Sequence, residues 1–461
     1  MNLIKKIKNN ELFYFYICLI AALSGLLFGL NIGVITVALP FISKDFNISN
    51  IKQEWIVSSM MLGATFGALF SGLLSSYFGR KKSLIISSLF FFIGSILASL
   101  SFNSDILIIS RIILGISVGI SSYTAPLYLS EISCKNNRGS MVSLYQLMIT
   151  IGILLSYISD TIFSYIGSWR CMLGITSIPA ILLFIGLFFL PESPRWLLSK
   201  GNLVNAKYIL FFLRKNKRKV MSELYSIKKS LKIKQTGISL FISNKNFRKV
   251  VFLGILLQIM QQFTGINVII YYAPKIFDMI GFNKSSDQMY CTICIGIINV
   301  LSTLVAIMLV DKWGRKPTLI LGFFVMFVTM SSLSILLYLN IINLIVKCLY
   351  ILFILIFISG FAISAGPLAW VLCSEIQPLK GRDFGITIST TTNFIANMIV
   401  GLTFLSIINI IGNIYTFFIY SILNLFFVIL TIFFVPETNG VSLENIENKL
   451  FSGKKLREIG K

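Results

Sequence analysis

The sequence predicts an all-α integral membrane protein with twelve transmembrane helices, arranged as two pseudo-symmetric six-helix halves. Hydrophobic residues make up 56% of the 461 residues and charged residues only 12%, a composition far more apolar than that of soluble domains. Apolar stretches long enough to cross ~30 Å of hydrocarbon occur along most of the chain. Short motifs at the ends of these stretches occur twice, about 240 residues apart.

Twelve apolar stretches define the predicted spans. Each has about 20 residues or more, the length that a helix needs to cross a bilayer. A membrane β-barrel is excluded, because its strands would alternate apolar and polar residues in segments of ~10 residues. The spans are 13–39, 56–78, 84–102, 105–129, 141–160, 171–190, 250–277, 290–310, 318–338, 344–373, 384–408 and 413–435.

The repeated motifs lie near the ends of these spans and indicate two tandem copies of one membrane unit. Such a duplication is typical of transporters that work by alternating access. The repeats are Gly-Arg-Lys at 79–81 and 314–316, Ser-Glu at 130–131 and 374–375, and Pro-Glu at 191–192 and 436–437. We expect an N-terminal half over 1–190, a cytoplasmic linker with short amphipathic helices over 191–249, a C-terminal half over 250–436 and a cytoplasmic tail over 437–461.

Glycine and proline interrupt two of the spans. The first contains Gly25, Gly29 and Gly33, and the tenth contains Gly366 and Pro367. In lipid, backbone groups freed by a helix break are tolerated only where neighbours or a water-filled cavity satisfy them. We therefore expect these two helices to bend and to line the cavity.

The net charge of +23 reflects membrane topology rather than nucleic-acid binding. Most Lys and Arg residues lie at the termini and in the loops that follow even-numbered spans. Cytoplasmic loops carry such an excess, so we expect both termini in the cytoplasm. Arg111 lies inside a span, and six basic residues lie on the other side: Lys44, Lys52, Arg170, Lys275, Lys284 and Lys347.

The chain lacks the residues that catalysis or a cofactor would need. It contains no His, and we find no pair of carboxylates within the spans that could act as acid and base. Cys291 and Cys294 are spaced like half a zinc site, but no second pair accompanies them. The Gly-x-x-x-x-Gly-Lys-Ser/Thr pattern of ATP-driven pumps is also missing. We predict that the protein is not an enzyme and binds no metal or cofactor.

Five motifs resemble those of a known transporter family. They are Arg-Lys-Lys at 80–82, Pro-Glu-Ser-Pro-Arg-Trp-Leu at 191–197, Gln-x-x-Gln-Gln-Phe-Thr-Gly-x-Asn at 258–267, Asp-Lys-Trp-Gly-Arg-Lys at 311–316 and Pro-Glu-Thr at 436–438. With them the chain resembles, over essentially its whole length, the sugar porters of the major facilitator superfamily, and within these the bacterial galactose–proton symporters. The resemblance implies the major facilitator fold, the bacterial inner membrane and alternating-access transport of a neutral monosaccharide. The sugar would be a hexose such as galactose or glucose, or a pentose, and we expect the protein to function as a monomer.

Amide side chains on the seventh span have the chemistry of a sugar site. A monosaccharide is a ring of hydroxyls with partly apolar faces, so its site needs neutral donors and acceptors beside aromatic surfaces. Gln258, Gln261, Gln262 and Asn267 place four amides on one predicted helix, and residues 258 and 262 share a face by their spacing. Hydrogen bonding between helices is the alternative explanation, because a buried amide must be satisfied.

The resemblance extends the predicted site to other spans. It implies that Phe28 forms an aromatic wall and that Tyr271 and Tyr272 form the outer gate. Phe394 stands where the galactose symporters carry Trp, so a ring is kept but an indole donor is lost. Plain packing is the alternative for each residue. The other residues implied to face the sugar are Gln146, Asn299, Trp370, Asn393 and Asn397.

Charged residues at the inner ends of the spans are expected to form a gate network. They can pair between spans while the transporter is open outward and separate when it opens inward; solvated helix-end charges are the alternative. Ser76 stands in the first half where the second has Asp311, so we expect unequal networks in the two halves. The expected pairs are Glu131 with Arg138, Glu192 with Arg195, Asp311 with Arg315, and Glu375 with Arg382.

Asn31 departs from the pattern of the proton-coupled sugar symporters, which carry Asp there, opposite an Arg that matches Arg111. A carboxylate beside an Arg can gain and lose a proton, whereas an amide cannot. We place every Asp and Glu near a helix end or in a loop, with Asp160 and Glu131 the nearest substitutes. The sequence therefore favours passive uniport, with proton symport as the alternative. A non-transporting sugar sensor is disfavoured, because sensors need an output domain and little sequence follows Pro436.

Overall fold

The computed structural model describes residues 10–133, 138–214, 216–231, 237–282, 284–341, 343–378, 380–441 and 443–459. Across these ranges the chain is helical, with short turns and no strand. Within the same ranges, eleven helical segments are long and apolar enough to cross a membrane. One of them contains two spans, so the predicted all-α class with twelve spans is confirmed.

Six spans come first along the chain. Five are single helices, and the sixth is divided into two shorter ones. The helices are α1 (Asn10–Asp45), α2 (Asn50–Phe78), α3 (Arg80–Ser99), α4 (Ser104–Ile132), α5 (Arg138–Ser164), α6 (Trp169–Gly174) and α7 (Ser177–Phe188).

Four short helices separate the sixth span from the seventh. Apolar side chains of the first three form a small core of their own around Leu210, Val220 and Leu224. The helices are α8 (Pro194–Ser199), α9 (Leu203–Arg214), α10 (Lys217–Leu231) and α11 (Gly237–Ser243). We call the end of the membrane spans that carries them the linker face, and the other end the opposite face.

Six further spans follow. The seventh consists of α12 and α13, the tenth of α16 and α17, and α18 contains the last two, because Gly412 interrupts it with φ 84° and ψ 165°. The helices are α12 (Lys245–Phe263), α13 (Ile266–Met279), α14 (Ser285–Trp313), α15 (Arg315–Leu339), α16 (Leu344–Ile363), α17 (Ala365–Ile376), α18 (Arg382–Phe434) and, after the spans, α19 (Leu443–Phe451).

The breaks in the seventh and tenth spans expose backbone groups inside the protein. Gly265 has φ 93°, a left-handed conformation that glycine adopts readily, and Ser364 separates α16 from α17 with φ −116° and ψ −91°. The tenth span therefore bends, as the sequence predicted. The first span does not break: α1 is continuous. Its glycines serve close packing instead, since a Cβ on Gly29 would lie 1.9 Å from the carbonyl oxygen of Ile149 in α5.

The linker is attached to the first half through Arg214. Its guanidinium donates to the carbonyl oxygens of Ile132 and Ser133 at the end of α4, each at 2.9 Å. The same group forms an ion pair of 2.9 Å with Glu223 in α10. The Arg214 side chain is 5% exposed, so it satisfies the end of α4 and fixes α9 and α10 against the linker face.

Candidate functional site

Five amide side chains form one bonded cluster at the seventh and eleventh spans. Asn393 of α18 donates to the side-chain oxygens of Gln258 and Gln261, each at 2.6 Å. Gln262 donates to the side-chain oxygen of Asn393 at 3.0 Å and accepts a bond from Asn267. All five are buried. Amides carry both donors and acceptors, so the cluster presents neutral polar groups in an otherwise apolar interior.

The cluster lies at the two helix breaks. Gln261 donates to the backbone oxygens of Ala365 and Gly366, at 3.0 and 2.8 Å, where α17 begins. Asn267 follows the break at Gly265 and bonds back to Gln262 across it. Because unpaired backbone groups are costly in lipid, the amides explain how the protein tolerates these breaks. Bonding between helices, the alternative left open by the sequence, therefore does occur, and it leaves the same amides available to exchange partners with a ligand.

Aromatic residues from both halves meet beside the amide cluster. Phe28 of α1 and Phe394 of α18 are in edge-to-face contact, with ring centroids 6.3 Å apart. Phe394 directly follows Asn393 and is buried, whereas Phe28 is half-buried. The half-buried Phe28 ring can present an apolar face of the kind that sugars contact.

Four of the other residues predicted to face the sugar lie outside the bonded cluster, and one of them, Asn397, bonds to Tyr271. Gln146 and Trp370 are half-buried, and Asn299 is buried. Among the hydrogen bonds between described residues, none joins their side chains to the five amides. Their predicted contact with a sugar stays a prediction.

Tyr271 and Tyr272 connect α13 to α18. Tyr271 donates its hydroxyl to the side-chain oxygen of Asn397 at 3.0 Å, and Tyr272 donates to the carbonyl oxygen of Gly401 at 3.0 Å. Both rings are buried. These two bonds therefore hold α13 against α18 within the C-terminal half. They lie between the amide cluster and the opposite face.

Bonds between the two halves lie close to these tyrosines. Thr36 of α1 and Tyr157 of α5 both donate to the carbonyl oxygen of Ile270, at 2.8 and 3.2 Å. Glu54 of α2 accepts two bonds from Ser406 of α18. The opposite face is therefore closed. The sequence analysis missed these residues: Thr36 and Tyr157 carry no distinctive signal, but a carboxylate just before a predicted span, as at Glu54, could have been noticed.

Asn31 and Arg111 are both buried and incompletely bonded. Asn31 donates to the carbonyl oxygen of Leu27 in its own helix at 2.8 Å, and its side-chain oxygen has no partner among the described residues. Arg111 is 1% exposed and contacts the sulfur of Met60 at 3.7 Å. Its Nε and Nη1 atoms likewise lack partners in the described part of the chain. No described hydrogen bond joins the two residues.

The charge network at the linker face in the first half includes partners that the sequence analysis did not predict. Arg80 binds Glu131 through two bonds of 2.9 Å; the side chain of Arg138, the expected partner, lies outside the described residues. Glu192 accepts from the backbone N–H groups of Arg80 and Ser193, at 3.0 and 2.9 Å. Burial raises the pKa of Glu192, while these N–H groups act in the opposite direction.

Arg195, expected to pair with Glu192, is exposed. Ser193 instead donates its hydroxyl to Glu131. The loop at 191–193 thus connects α3 and α4. Its Glu192 bonds to the start of α3, and its Ser193 bonds to Glu131 of α4.

The second half repeats this arrangement, so among the described residues the two networks are more alike than the difference between Ser76 and Asp311 predicted. Arg315 pairs with Glu375 at 3.3 Å, and Thr438 donates to the same carboxylate. Glu437 accepts from the backbone N–H groups of Arg315 and Lys316, both at 3.0 Å. Asp311, the expected partner of Arg315, has a side chain outside the described residues. Arg382, the expected partner of Glu375, is half-buried.

One glycine in each half makes this geometry possible. Gly79 and Gly314 have φ of 96° and 86°. A Cβ there would lie 2.5 Å from Glu192 and 2.8 Å from Glu437, respectively. The Gly-Arg-Lys motif recurs because its glycine leaves room for the carboxylate and its next two N–H groups bind it.

Two duplicated six-helix halves, joined at one face and carrying a buried amide cluster, define a membrane transporter of the major facilitator type. The family model described as "Sugar (and other) transporter" matches residues 17–450. The chain belongs to this sugar transporter family. The resemblance drawn from the motifs is thereby confirmed, and the family consists of transporters rather than enzymes.

Named relatives cover nearly the whole chain. It is 57% identical to the galactose-proton symporter of Escherichia coli strain K12, over 99% of this chain and 98% of that protein. It is 50% identical to the arabinose-proton symporter of the same strain, over 99% and 97%. A solved structure of the xylose transporter XylE from E. coli matches with a TM-score of 0.81 and 31% identity, covering 93% of this chain and 99% of that one.

Proposed function

We propose that the protein moves a neutral monosaccharide across the membrane by alternating access, with the amide cluster as the centre of its sugar site. The observation that carries the proposal is the bonded set of five buried amides at the breaks of the seventh and tenth spans. A sugar hydroxyl can both donate and accept, so it can replace one amide in this network without leaving another unsatisfied.

The two halves contribute different parts of the proposed site. The C-terminal half supplies the five bonded amides, while Phe28 of the N-terminal half supplies an aromatic face. Gln146, Asn299, Trp370 and Asn397 would complete the contacts around the ring, and Tyr271 and Tyr272 would close it from the opposite face. Because one chain carries both halves and the whole site, we propose that a monomer suffices for transport.

Galactose is the first substrate to test. The relative at 57% identity is named for galactose, and others are named for arabinose and xylose. A xylose symporter of the same fold has been solved with 6-bromo-6-deoxy-D-glucose bound. These names cover hexoses and pentoses, all of which present neutral hydroxyls of the kind that the amide cluster can bind.

For the mode of transport we propose passive uniport. Asn31 cannot ionise, and it stands where the resembling symporters carry the carboxylate that takes up the proton. Proton symport is the alternative. The names of the galactose- and arabinose-proton symporters reported above favour it. It would need another carboxylate; Asp160 of α5 is fully buried, and one of its oxygens has no partner among the described residues.

We propose that the linker face adjoins the cytoplasm of a bacterium and that the protein lies in its inner membrane. Basic residues are in strong excess at the termini and in the linker, and the six assigned to the other side are the exceptions. The boundaries of the halves, linker and tail would be those expected from the sequence.

Counterflow of labelled sugars in proteoliposomes tests the proposal. Galactose, glucose, arabinose and xylose are each loaded inside, and uptake of the labelled sugar is measured with and without an inward pH gradient. We expect counterflow of at least one sugar and no accumulation driven by the gradient. Absence of counterflow for all four sugars contradicts monosaccharide transport, and gradient-driven accumulation contradicts uniport.

A further inference from the structure

Glu54 is a buried carboxylate at the junction of the two halves. It lies in the second turn of α2 and is 2% exposed. One of its oxygens accepts from the backbone N–H of Ser406 at 2.7 Å, and the other accepts from the Ser406 hydroxyl at 2.7 Å. Ser406 belongs to α18, so both bonds cross from the N-terminal to the C-terminal half.

These bonds are short and use donors that only close approach provides. Bonds to an ionised carboxylate are about twice as strong as those between neutral groups. The N–H of a helical residue is normally directed to the carbonyl four residues earlier, so a further bond from Ser406 requires the Glu54 side chain to lie against α18. Separation of α2 from α18 would break both bonds together.

In a second contact beside Glu54, a donor of the C-terminal half again bonds to an acceptor of the N-terminal half. Lys275 of α13 donates from its ammonium to the side-chain oxygen of Asn50 in α2 at 3.3 Å. Lys275 and Glu54 also attract each other electrostatically. In these two contacts the N-terminal half contributes the acceptors and the C-terminal half the donors, and the charges of Glu54 and Lys275 are complementary.

One turn deeper, α2 and α18 are in close contact. A Cβ on Gly401 would lie 2.5 Å from the hydroxyl oxygen of Ser58. Ser58 is 1% exposed, and its hydroxyl has no partner among the described residues. The contact between α2 and α18 therefore keeps solvent from Ser58. Ser58 is not one of the residues that bond to Glu54.

We propose that Glu54 and Ser406 form a latch that holds the opposite face closed and must break each time the protein opens there. This inference rests on the proposed alternating-access mechanism. When the halves separate, water replaces Ser406 around the carboxylate; when they close, the two bonds and Lys275 offset the loss of that water. The strength of the latch sets the fraction of molecules open at the opposite face.

Ser58→Cys provides a reporter in a full-length background whose seven native cysteines have been replaced. Its thiol should react slowly with a membrane-impermeant maleimide added from the compartment at the opposite face. Glu54→Ala removes both bonds and should raise the labelling rate about tenfold, because a net bond to a charged group is worth roughly that factor or more. Glu54→Gln and Ser406→Ala should give smaller increases, since each keeps part of the bonding.

Asp105→Asn is the matched control. Its carboxylate is also at the opposite face, 3.7 Å from Lys52, but is 72% exposed, and labelling should stay at the parent rate. Parent-rate labelling in both Glu54→Gln and Ser406→Ala would overturn the latch. If the Glu54 variants fail to fold, Ser406→Ala decides alone, because it removes only one hydroxyl. Labelling needs no sugar, so a negative result would leave counterflow and the proposed transport function intact.

Discussion

The side-chain nitrogen of Asn393 lies 2.6 Å from the side-chain oxygen of Gln261, so the eleventh span is bonded directly to the seventh. Gln261 in turn donates to the backbone at the start of α17. One amide therefore links three spans of the C-terminal half. Any ligand that takes a bond from Gln261 changes the contacts between these spans, which is a direct physical route from sugar binding to helix movement.

Gln261→Ala or Asn267→Ala should weaken sugar binding by about 1–3 kcal/mol, because each leaves a buried partner unsatisfied. Binding can be measured by titration of purified protein, with thermal stability recorded in parallel. Asn409→Ala, at an exposed position in α18, is the control and should bind sugar as the parent does. Lower stability with unchanged affinity would show that the amides only join helices.

The sequence predicted which residue types form the cluster but not their bonding. Gln258, Gln261, Gln262 and Asn267 were recognisable because four amides in one apolar stretch exceed what lipid tolerates without partners. Their bonds to Asn393 depend on how α12 packs against α18, which no local pattern specifies. For the same reason the Glu131–Arg80 pair was not predicted: charge and helix end were predictable, but the facing helix was not.

Glycine spacing was a similarly incomplete guide. The tenth span breaks beside Gly366, yet Gly29 lies in an unbroken helix that approaches α5 closely. A glycine in a membrane helix permits either a bend or a close contact. Only the neighbouring helix determines which of the two occurs.

Arg80→Met should destabilise the protein by about 3–5 kcal/mol, because it leaves the Glu131 carboxylate, 3% exposed, without its cation. Thermal unfolding in detergent measures the loss. Lys52→Met is the control, since Lys52 and Asp105 are 50% and 72% exposed and such surface pairs contribute about 0–1 kcal/mol. Equal melting temperatures for the two variants would mean that the Arg80–Glu131 pair contributes no more than a solvated one.

Arg214→Ala should release the linker helices from the end of α4, since it removes two bonds to backbone oxygens and the ion pair with Glu223. We expect limited proteolysis to cut the 191–249 region several-fold faster than in the parent. The rate of counterflow should change by a smaller factor than the rate of cleavage. Arg218→Ala, at an exposed position of α10, removes the same charge and should be cut at the parent rate. A parent-like cleavage rate in Arg214→Ala would show that these bonds do not hold the linker.

Asn31→Asp tests where proton coupling resides. Asn31 is 1% exposed and Arg111 equally buried; within the described ranges the side-chain oxygen of Asn31 and two nitrogens of Arg111 have no partner. A carboxylate at position 31 would gain a proton where it is desolvated and lose it where water or the guanidinium stabilises its charge. We expect the variant to accumulate sugar in vesicles with an inward pH gradient and to alkalinise the medium when sugar is added, whereas the unmodified chain does neither.

Asn409→Asp adds the same charge at an exposed site and should behave as the parent. If the unmodified chain already accumulates sugar, uniport is wrong and Asp160→Asn becomes the variant that should abolish coupling. If neither the parent nor Asn31→Asp accumulates sugar, position 31 alone does not determine coupling in this protein.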